Sequence, residues 1–420
     1  MNDKQIFAAV EIADHEVRLI VGEFFNTRFN IIKVERVPVS GLTYHQVTDA
    51  KALTDAIQRA AKDAEKLIGA AIKKVILAIP SYGMKRYALK SPVQVEGIDQ
   101  KITVADIRRA IKQAESVNIG KNLALIQTVC VKYTINGISS RRIPIGEKAS
   151  ELIVDIDLLC ADRKLAFDLV SCVEAAGLQV MDIFLDVYAV AKEAALFEQA
   201  VDQNVIVLKL ERQSTTLGLL SRGRLTTCLV APAGVGTMAG TIVDKYGLKT
   251  DMAVELMKYS ARLNEKIYST NPVHIWSSNG ETQKLTEQEL CETVMPDVEK
   301  WLDGIAELCK PILQAGSTTV IITGEGGEMQ GLNELLQKKL NCEAKNYIPE
   351  TLGGRNAGLT ATLGLFYAYK DKLPITGYTD NSLDMDAFIK SVSYRDKDKN
   401  GGKEDTLTNK LKGILFDGKK

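Results

Sequence analysis

The pattern of apolar and polar residues along this chain predicts the same order of strands and helices twice. Near the start, three β-rich runs joined by short polar turns predict a three-stranded meander over residues 6–37. The next apolar positions recur at helical spacing and predict an amphipathic helix. Its inward face comprises Leu53, Ile57, Ala60, Ala61, Ala64, Leu67 and Ile68. A short apolar run, Val75–Ile79, then predicts a buried strand that ends before Pro80.

The same succession returns about 200 residues later. Residues 204–210, 215–220 and 225–230 predict a second meander, and residues 318–323 predict a second buried strand. Two copies of meander, helix and strand indicate two similar α/β lobes that face each other. Two unrelated α/β domains are the alternative that this pattern leaves open.

Residues 82–177, between the two copies, predict a small α+β subdomain inserted in the first lobe. Strand signals occur at 86–95, 125–135 and 151–159. A helix follows the first of these strands, and its start is marked by a threonine with an aspartate three residues later, the spacing of a capping box.

The second lobe also carries an insertion. Residues 236–311 are largely helical and polar in pattern. Residues 283–310 predict one or two amphipathic helices that are broken at Pro296, since proline interrupts the hydrogen bonds of a helix.

The C-terminal tail differs from the rest in composition. Residues 371–404 are rich in Asp, Lys, Gly and Asn, which predicts a flexible linker. The last residues, 405–420, read DTLTNKLKGILFDGKK and predict a short amphipathic helix that lies in the plane of a membrane. The residues expected to contact lipid are Leu407, Leu411, Ile414, Leu415 and Phe416, with Lys410 and Lys412. Docking of this helix on the body or on a partner is the alternative.

Composition narrows the class of protein. The 420 residues suggest two to four compact units, and 45% apolar with 25% charged residues is ordinary for a globular protein. With 53 basic and 53 acidic residues, no net charge attracts nucleic acid. Neither a signal peptide nor a spanning segment is expected. The 7 cysteines are widely spaced without a C-x-x-C motif, so we expect a reduced, cytoplasmic protein without a zinc site.

The first insertion carries the most specific sequence signature. The stretch AESVNIGKNLALIQTVCVKYTINGISSRRIPIGEKASELIVDIDLLCADRKLAFDLVSCVEAAGLQVMDIFLDVYAVA resembles the inserted subdomain of the FtsA family, bacterial cell-division proteins of the actin fold. Later stretches fit as well: PAGVGTMAGTIVDKYGL, AVELMK, VIITGEGGEMQGLNELL and GLTATLGLFYAY. The resemblance runs from about residue 6 to about residue 370, and the tail is in the position expected for this family.

The resemblance implies an α/β fold: actin-like (ribonuclease H-like), duplicated into two lobes, with an α+β subdomain inserted in the first. It divides the chain into subdomain 1A (1–81, 178–203 and 351–370), inserted subdomain 1C (82–177), subdomain 2A (204–230 and 310–350), subdomain 2B (231–309), a disordered linker (371–404) and a membrane-binding amphipathic helix (405–420).

In this fold a cleft between the lobes holds ATP and Mg²⁺, and two turns rich in Gly and Thr or Ser cradle the phosphates. The family's first turn resembles D-I-G-T-S, whereas residues 11–15 here read EIADH. The second resembles D-I-G-G-G-T, whereas residues 209–214 read KLERQS. Asp14 and Glu211 would repel phosphates, and Lys209 and Arg212 would only partly offset that charge. We therefore expect ATP and Mg²⁺ binding to be weak or absent.

The nucleoside side of the cleft is better preserved. The residues that match the family's cofactor-binding positions are Glu255, Lys258, Gly324, Glu325, Gly326, Gly327, Gly234 and Gly236. Without the resemblance, Glu255 and Lys258 would be interpreted as an ordinary exposed ion pair on a helix. Gly324 and its neighbours would be interpreted as a strand-to-helix turn.

The resemblance implies a non-enzymatic adaptor. Its partners would be the C-terminal tail peptide of the tubulin-like FtsZ, docking on residues 236–309, further copies of itself in a protofilament, and membrane lipid through the terminal helix, with no nucleic acid. Two other classes stay open: an actin-fold adaptor of a type IV pilus or secretion apparatus, which binds the tail of an inner-membrane protein, and an active ATPase of the sugar-kinase or chaperone type.

Overall fold

The computed structural model describes residues 4–25, 28–96, 98–278, 280–377 and 381–389. The strands and helices of the first half of the chain are, in order, β1 (Lys4–Ile12), β2 (Glu16–Phe25), β3 (Arg28–Pro38), α1 (Ala50–Ile68), β4 (Lys74–Ile79), β5 (Lys85–Gln94), α2 (Val104–Glu115), β6 (Leu123–Ile135), β7 (Ile138–Ser140), β8 (Glu151–Asp162), α3 (Arg163–Ala175), β9 (Gln179–Leu185), α4 (Asp186–Glu193) and α5 (Leu196–Gln199).

Those of the second half are β10 (Asn204–Leu210), β11 (Thr215–Ser221), β12 (Arg224–Ala231), α6 (Val235–Met238), α7 (Gly240–Tyr246), α8 (Thr250–Tyr259), β13 (Pro272–Ser278), β14 (Glu281–Thr286), α9 (Glu287–Ala315), β15 (Thr318–Thr323), α10 (Leu332–Leu340), β16 (Glu343–Asn346) and α11 (Thr360–Thr376). Among the helices of the described ranges, none combines the length and the apolar character needed to cross a bilayer.

Two five-stranded sheets form the centres of the two lobes. The first has the strand order β3-β2-β1-β4-β9 and the second the order β12-β11-β10-β15-β16. In each sheet the first three strands are an antiparallel meander, and the last two run parallel to the first strand of that meander. The two lobes thus repeat one topology, which confirms the predicted duplication and makes the alternative of unrelated domains wrong.

Helix α1 packs against the first sheet as its periodicity predicts. The side chain of Asp49 accepts the Ala52 amide at 2.9 Å and starts the helix, and Gly69, with φ 81°, ends it. The predicted inward face is buried, except that Leu67 in the last turn is 52% exposed.

The inserted subdomain of the first lobe is a four-stranded antiparallel sheet of order β5-β8-β6-β7. Helix α2 covers one face, and its capping box is formed as predicted: Asp106 Oδ2 accepts the Thr103 amide and hydroxyl, each at 2.7 Å. Apolar residues of α2 and of β8 form a core separate from those of the two lobes. The opposite face of this sheet is polar around Asp155 and Asp157, whereas Leu159 and Ala161 on the same face join the core of the first lobe.

The predicted amphipathic helix over residues 283–310 is present, but its predicted start at residue 283 and its predicted break at Pro296 are wrong. Residues 283–285 belong to the hairpin of β13 and β14, and the helix starts only after Thr286, whose amide and hydroxyl bond the carboxylate of Glu289 at 2.9 and 2.8 Å. Helix α9 then runs through Pro296 without a break. Its apolar residues pack along the second lobe's core over this whole length, and that burial outweighs the hydrogen bond that the proline removes.

The predicted linker over 371–404 begins too early. Helix α11 continues beyond Asp371 to Thr376, and residues 381–384 bond to the central strand β1 and to the start of β4. The side-chain oxygens of Asn381 and Ser382 accept the amides of Ile6 and Ala8 at 2.7 and 2.8 Å. These few side-chain bonds fix a segment whose average composition suggests disorder. The predicted membrane helix, with Leu407, Lys410, Leu411, Lys412, Ile414, Leu415 and Phe416, lies outside the described residues.

Candidate functional site at the cleft between the lobes

Two hairpin turns, one from each lobe, meet in the cleft. The first joins β1 to β2 and is closed by a hydrogen bond from the Ala13 amide to the Glu16 carbonyl oxygen (2.9 Å), and the second joins β10 to β11 in the same way. Asp14 connects the turns: its Oδ2 accepts the Gln213 amide at 2.7 Å, and its carbonyl oxygen accepts Gln213 Nε2 at 3.0 Å.

Arg18, on β2, is the central cation of the cleft and is fully buried. Two of its nitrogens donate to the two carboxylate oxygens of Glu211 in the other lobe, at 2.9 and 2.7 Å. Its Nε donates to Glu16 at 2.6 Å, and Nη1 lies 3.4 Å from Glu11. Burial lowers the pKa of Arg18, but the charges of Glu211, Glu11 and Glu16 more than offset this and raise it well above its ordinary value. The guanidinium therefore stays charged and joins the lobes through a bidentate ion pair.

Lys209, in β10, makes a second connection between the lobes. Its Nζ lies 2.6 Å from Glu11 and 2.9 Å from Asp186, both in the first lobe. Asp186 begins α4, and its other oxygen accepts the amide and hydroxyl of Ser81 at 2.9 and 2.6 Å. Burial lowers the pKa of Lys209, whereas Asp186, Glu11 and Glu211 raise it above its ordinary value.

His15, in the first turn, lies among three carboxylates. Its Nδ1 is 3.0 Å from Asp14, and its Nε2 is 3.5 Å from Glu16 and 3.4 Å from Glu325. Burial lowers the pKa of His15, but its interactions with Asp14 and Glu16 raise it to about 9, so the ring is an imidazolium at neutral pH. Arg212 of the second turn pairs with Glu325 from the other side, with Nε 3.1 Å from Oε2.

The charges of the cleft nearly balance within the protein itself. Six carboxylates and five cations take part: Glu11, Asp14, Glu16, Asp186, Glu211 and Glu325, with His15, Arg18, Arg36, Lys209 and Arg212. Because this set already has one carboxylate in excess, a polyphosphate would add negative charge where every cation of the set already has a partner.

Three of these side chains also form a candidate cation site. Asp14, His15 and Glu211 each place one ligand atom within 4.8 Å of the others. Their donor atoms are engaged, however: both oxygens of Glu211 bond Arg18, and Asp14 Oδ2 accepts the Gln213 amide. A protonated His15 has no lone pair to offer, and Mg²⁺ requires oxygen ligands and water in near-octahedral geometry. The donor set therefore does not fit Mg²⁺.

The glycines predicted to approach phosphates are packed against the second turn. A Cβ at Gly234 would lie 2.3 Å from the Glu211 carbonyl oxygen, and one at Gly236 would lie 2.8 Å from that of Arg212. The Gly236 amide donates to the same Arg212 oxygen at 2.8 Å. At both positions the second turn itself approaches the start of α6 too closely for any side chain.

The predicted nucleoside turn lies directly after β15. Gly324 has φ 86° and approaches the Leu210 backbone so closely that a Cβ would be 2.6 Å from its carbonyl oxygen. Gly326 contacts the Leu210 side chain in the same way, and Gly327 follows. Glu325, between them, is buried and points into the ion-pair network of the cleft rather than to an open pocket.

Helix α8 brings the two predicted nucleoside contacts next to this turn. The hydroxyl of Tyr259 donates to Glu328 at 2.7 Å and joins the helix to the turn. The Lys258 ammonium lies 3.3 Å from Glu255, but Lys258 is buried whereas the side chain of Glu255 is 53% exposed. This arrangement is compatible with a nucleoside contact and with an ordinary helical ion pair, so the assignment stays a prediction.

Several members of the network were not predicted. Arg18, Asp186 and Ser81 come from β2, α4 and the end of β4, which are far apart in sequence. One signal was available: the run EVRLIV carries a cation inside a nearly continuous apolar strand, and a cation buried in that way requires a carboxylate partner.

Comparisons with known proteins agree with this architecture. A family model described as the SHS2 domain inserted in FTSA matches residues 86–160, within the inserted subdomain. The cell division protein FtsA of Bacillus subtilis (strain 168) is 24% identical over 375 residues, which cover 87% of this chain and 83% of that protein. The cell division protein FtsA of Neisseria meningitidis serogroup B is 25% identical over 390 residues, covering 88% and 91%.

Solved structures with a similar fold are more distant in sequence. A type IV pilus biogenesis complex of PilM and PilN matches with a TM-score of 0.56 at 13% identity, covering 86% of this chain and 97% of the other. MreB5 of Spiroplasma citri bound to ADP matches with a TM-score of 0.51 at 12% identity, covering 89% and 99%. These neighbours show the actin-like fold. The inserted domain and the relatives that match most of the chain support an FtsA-like protein.

Proposed function

We propose that this chain is a cell-division adaptor that works without nucleotide: it tethers FtsZ filaments to the inner face of the cytoplasmic membrane and assembles into actin-like protofilaments. The bidentate ion pair between Arg18 and Glu211 is the observation that supports function without nucleotide. It joins the lobes where actin-fold proteins use a bound nucleotide, and it needs no ligand.

ATP would have to displace this network in order to bind. Each buried carboxylate of the cleft is held by a cation, and removing one partner leaves the other charge buried without compensation. The protein would therefore lose ion pairs in the same step in which it gained contacts to phosphate. We expect weak or no binding of ATP with Mg²⁺, and consequently no appreciable hydrolysis.

The remaining parts of the proposal come from the relatives and the sequence. The FtsA proteins that resemble this chain along most of its length motivate the FtsZ tail as partner, with residues 236–309 as its docking region. Membrane attachment is proposed through the amphipathic stretch at 405–420. One short helix gives modest affinity, so stable attachment needs several copies side by side in a protofilament.

Flotation with lipid vesicles in a density gradient tests the proposal. The full-length chain is mixed with FtsZ filaments and vesicles of phosphatidylglycerol and phosphatidylethanolamine, with and without ATP and Mg²⁺. We expect FtsZ to float with the vesicles only when the chain is present, and to the same extent with or without ATP. The variant Leu411→Asp is the matched control, because a charge on the apolar face of the helix should release both proteins from lipid.

Each outcome bears on a separate part of the proposal. Recruitment that requires ATP would show that nucleotide controls the adaptor. Failure of FtsZ to follow the chain onto vesicles would contradict the FtsZ assignment. The alternative of a pilus or secretion adaptor has only the shared fold in its support, because the pilus complex is similar in structure at 13% identity.

A further inference from the structure

A second cationic region lies away from the nucleotide cleft, in a groove between the inserted subdomain and the second lobe. One wall is the polar face of the inserted sheet, and the other is the hairpin of β11 and β12. The groove has a volume of about 850 Å³ and is lined by six cationic side chains: Arg86, Lys90, Lys132, Arg141, Arg222 and Arg224. The whole chain carries equal numbers of acidic and basic residues, so this is a local concentration of positive charge.

Two buried carboxylates beside the groove, Asp155 and Asp157, hold some of these cations in place. Asp157 lies 3.3 Å from Arg86 and 3.3 Å from Arg224, which reaches over from the other wall. Asp155 lies 3.4 Å from Lys132 and 3.7 Å from Arg224. These aspartates fix the positions of the cations, but two negative charges leave four of the six positive charges uncompensated.

Three of the cations have no acidic partner within the described part of the chain. Lys90, Arg141 and Arg222 are all exposed, and each lies at the rim of the groove. Solvated cations are common on protein surfaces. Here, however, the three exposed cations surround cations that the aspartates already hold in place, so the positive electrostatic potentials of both groups add in the groove.

The turn that carries Arg222 is conformationally costly. Arg222 and Gly223 connect β11 to β12 with φ values of 53° and 69°, the pattern of a type I′ turn, for which Asn-Gly is favoured. An arginine at the first position is therefore strained relative to asparagine. Gly223 is favoured because its φ of 69° is strained for a residue with a side chain, and the flexible end of Arg141 packs over the turn from the inserted subdomain. The turn thus places Arg222 at the rim of the groove and leaves room for Arg141 above Gly223.

The spacing of the cations suits an extended chain of separated charges. Lys90 and Lys132 lie opposite Asp155 on the two strands that flank β8, so their backbones are about 10 Å apart. Arg86 and Lys90 are four residues apart on one strand, about 13 Å. Carboxylates two to four residues apart in an extended peptide are separated by about 7–13 Å. A triphosphate instead concentrates its charge within a few bonds and requires convergent donors.

The groove adjoins a smaller chamber of about 260 Å³ that has an apolar wall. Tyr188 and Phe197, whose ring centroids are 4.9 Å apart, form that wall with Leu225. Arg141 and Arg224 line both spaces. A peptide that carries an apolar side chain between acidic residues would fill both the groove and the chamber.

We propose that this groove binds an extended acidic peptide segment of a partner protein, with carboxylates on the rim cations and one apolar side chain in the chamber. The site is separate from the cleft and from residues 231–309, and the inference goes beyond the proposed function. The partner is defined by its chemistry: several Asp or Glu residues around a Leu or Phe.

Fluorescence anisotropy with the full-length chain tests this directly. The probe is a fluorescein-labelled peptide of sequence DELDEFDELD, and NQLNQFNQLN is its uncharged counterpart. We expect the acidic probe to bind and the uncharged probe to bind at least tenfold more weakly. Binding should also weaken as salt screens the rim charges.

The decisive variant is Arg222→Asn. Because asparagine suits the turn better than arginine, the variant should unfold at the same or a higher temperature. We expect the affinity for the acidic probe to fall at least threefold, and at least tenfold when Lys90→Gln is added. Lys112→Gln is the matched control: it removes an exposed lysine from α2, on the other side of the inserted sheet, and should leave affinity unchanged.

Three results would overturn the inference: equal affinity for both peptides, equal affinity of the wild type and the double variant, or stronger competition by inorganic triphosphate than by unlabelled acidic peptide. The last would assign the groove to phosphate compounds. Recruitment of FtsZ to vesicles should be unaffected by Arg222→Asn, so failure here is distinguishable from failure of the proposed function.

Discussion

The two turns that meet in the cleft occupy equivalent places in the two lobes but carry net charges of opposite sign. The first is net acidic, with Glu11, Asp14 and Glu16 against a protonated His15, whereas the second is net basic, with Lys209 and Arg212 against Glu211. The sheets behind them have the same strand order and the same directions. A duplicated frame has thus kept its geometry while its two turns became complementary to each other. Each lobe supplies charges that the other requires: Arg18 of the first lobe pairs with Glu211, and Lys209 of the second pairs with Glu11 and Asp186.

The strongest way to break this complementarity is to remove its central cation. Arg18→Met keeps a long apolar side chain but leaves Glu211 buried without its bidentate partner and removes one of the two cations beside each of Glu11 and Glu16. Breaking a buried ion pair in this way costs about 3–5 kcal/mol. We expect a loss of that size in the free energy of unfolding, measured by urea denaturation followed by circular dichroism.

Arg36→Met is the matched control. Arg36 also pairs with Glu16, at 2.7 Å, but its side chain is 35% exposed and it stays within the first lobe. Ion pairs open to solvent contribute only about 0–1 kcal/mol. Equal effects of the two substitutions would contradict the special role of the buried connection between lobes.

The strands and helices of the two lobes could be predicted from sequence much better than the ion pairs in the cleft between them. The meanders, the buried strands Lys74–Ile79 and Thr318–Thr323 and the capped helix α2 all follow from local periodicity and turn chemistry. The pairing of Arg18 with Glu211 joins residues 193 positions apart, and no local pattern predicts which carboxylate a buried arginine meets. For the same reason the composition of residues 371–404 could not predict that Asn381 and Ser382 bind the first strand.

The protonation of His15 gives a second way to test the complementarity. Its pKa rises from 6.5 to about 9 in the folded protein, because Asp14, Glu16 and Glu325 outweigh burial and the nearby Arg18. A raised pKa means that this stabilisation is fully present below pH 6.5 and is lost as pH rises toward 9. The difference corresponds to about 3 kcal/mol. We expect the unfolding free energy to fall across that window.

His15→Gln should flatten the slope between pH 6.5 and 9. Glu193 provides the contrast outside the cleft: burial raises its pKa from 4.5 to about 7, so its ionisation lowers stability between those two values instead. Glu193→Gln should remove only this lower slope. If His15→Gln leaves the upper slope intact, His15 is not the charged member of the network that its surroundings indicate.

A double-mutant cycle sharpens the comparison by measuring the pair itself. Arg18→Met and Glu211→Gln each leave the other partner uncompensated, whereas the double variant removes both charges. We expect the double variant to be less destabilised than the sum of the single variants, by about 0.5–3 kcal/mol, in the same urea titrations. Strict additivity would mean that the two side chains act independently.

The smallest effect is expected on the nucleoside side of the cleft, at Lys258. Its partner Glu255 lies 3.3 Å away but is 53% exposed, so little charge is left buried when the ammonium is removed. Lys258→Met keeps the apolar stem of the side chain in place. We expect a change below about 1 kcal/mol.

Comparison with Arg18→Met then separates the two halves of the cleft. Lys258 and Arg18 are both buried. If burial alone decided the cost, the two substitutions would lower the free energy of unfolding by equal amounts. The network predicts a large difference instead, because Arg18 contacts three buried carboxylates and is the bidentate partner of Glu211, whereas Lys258 contacts one carboxylate that already faces water. A cost at Lys258 as large as that at Arg18 would show that the nucleoside side, too, is held closed by charge, and that the opposition of the two turns is not what joins the lobes.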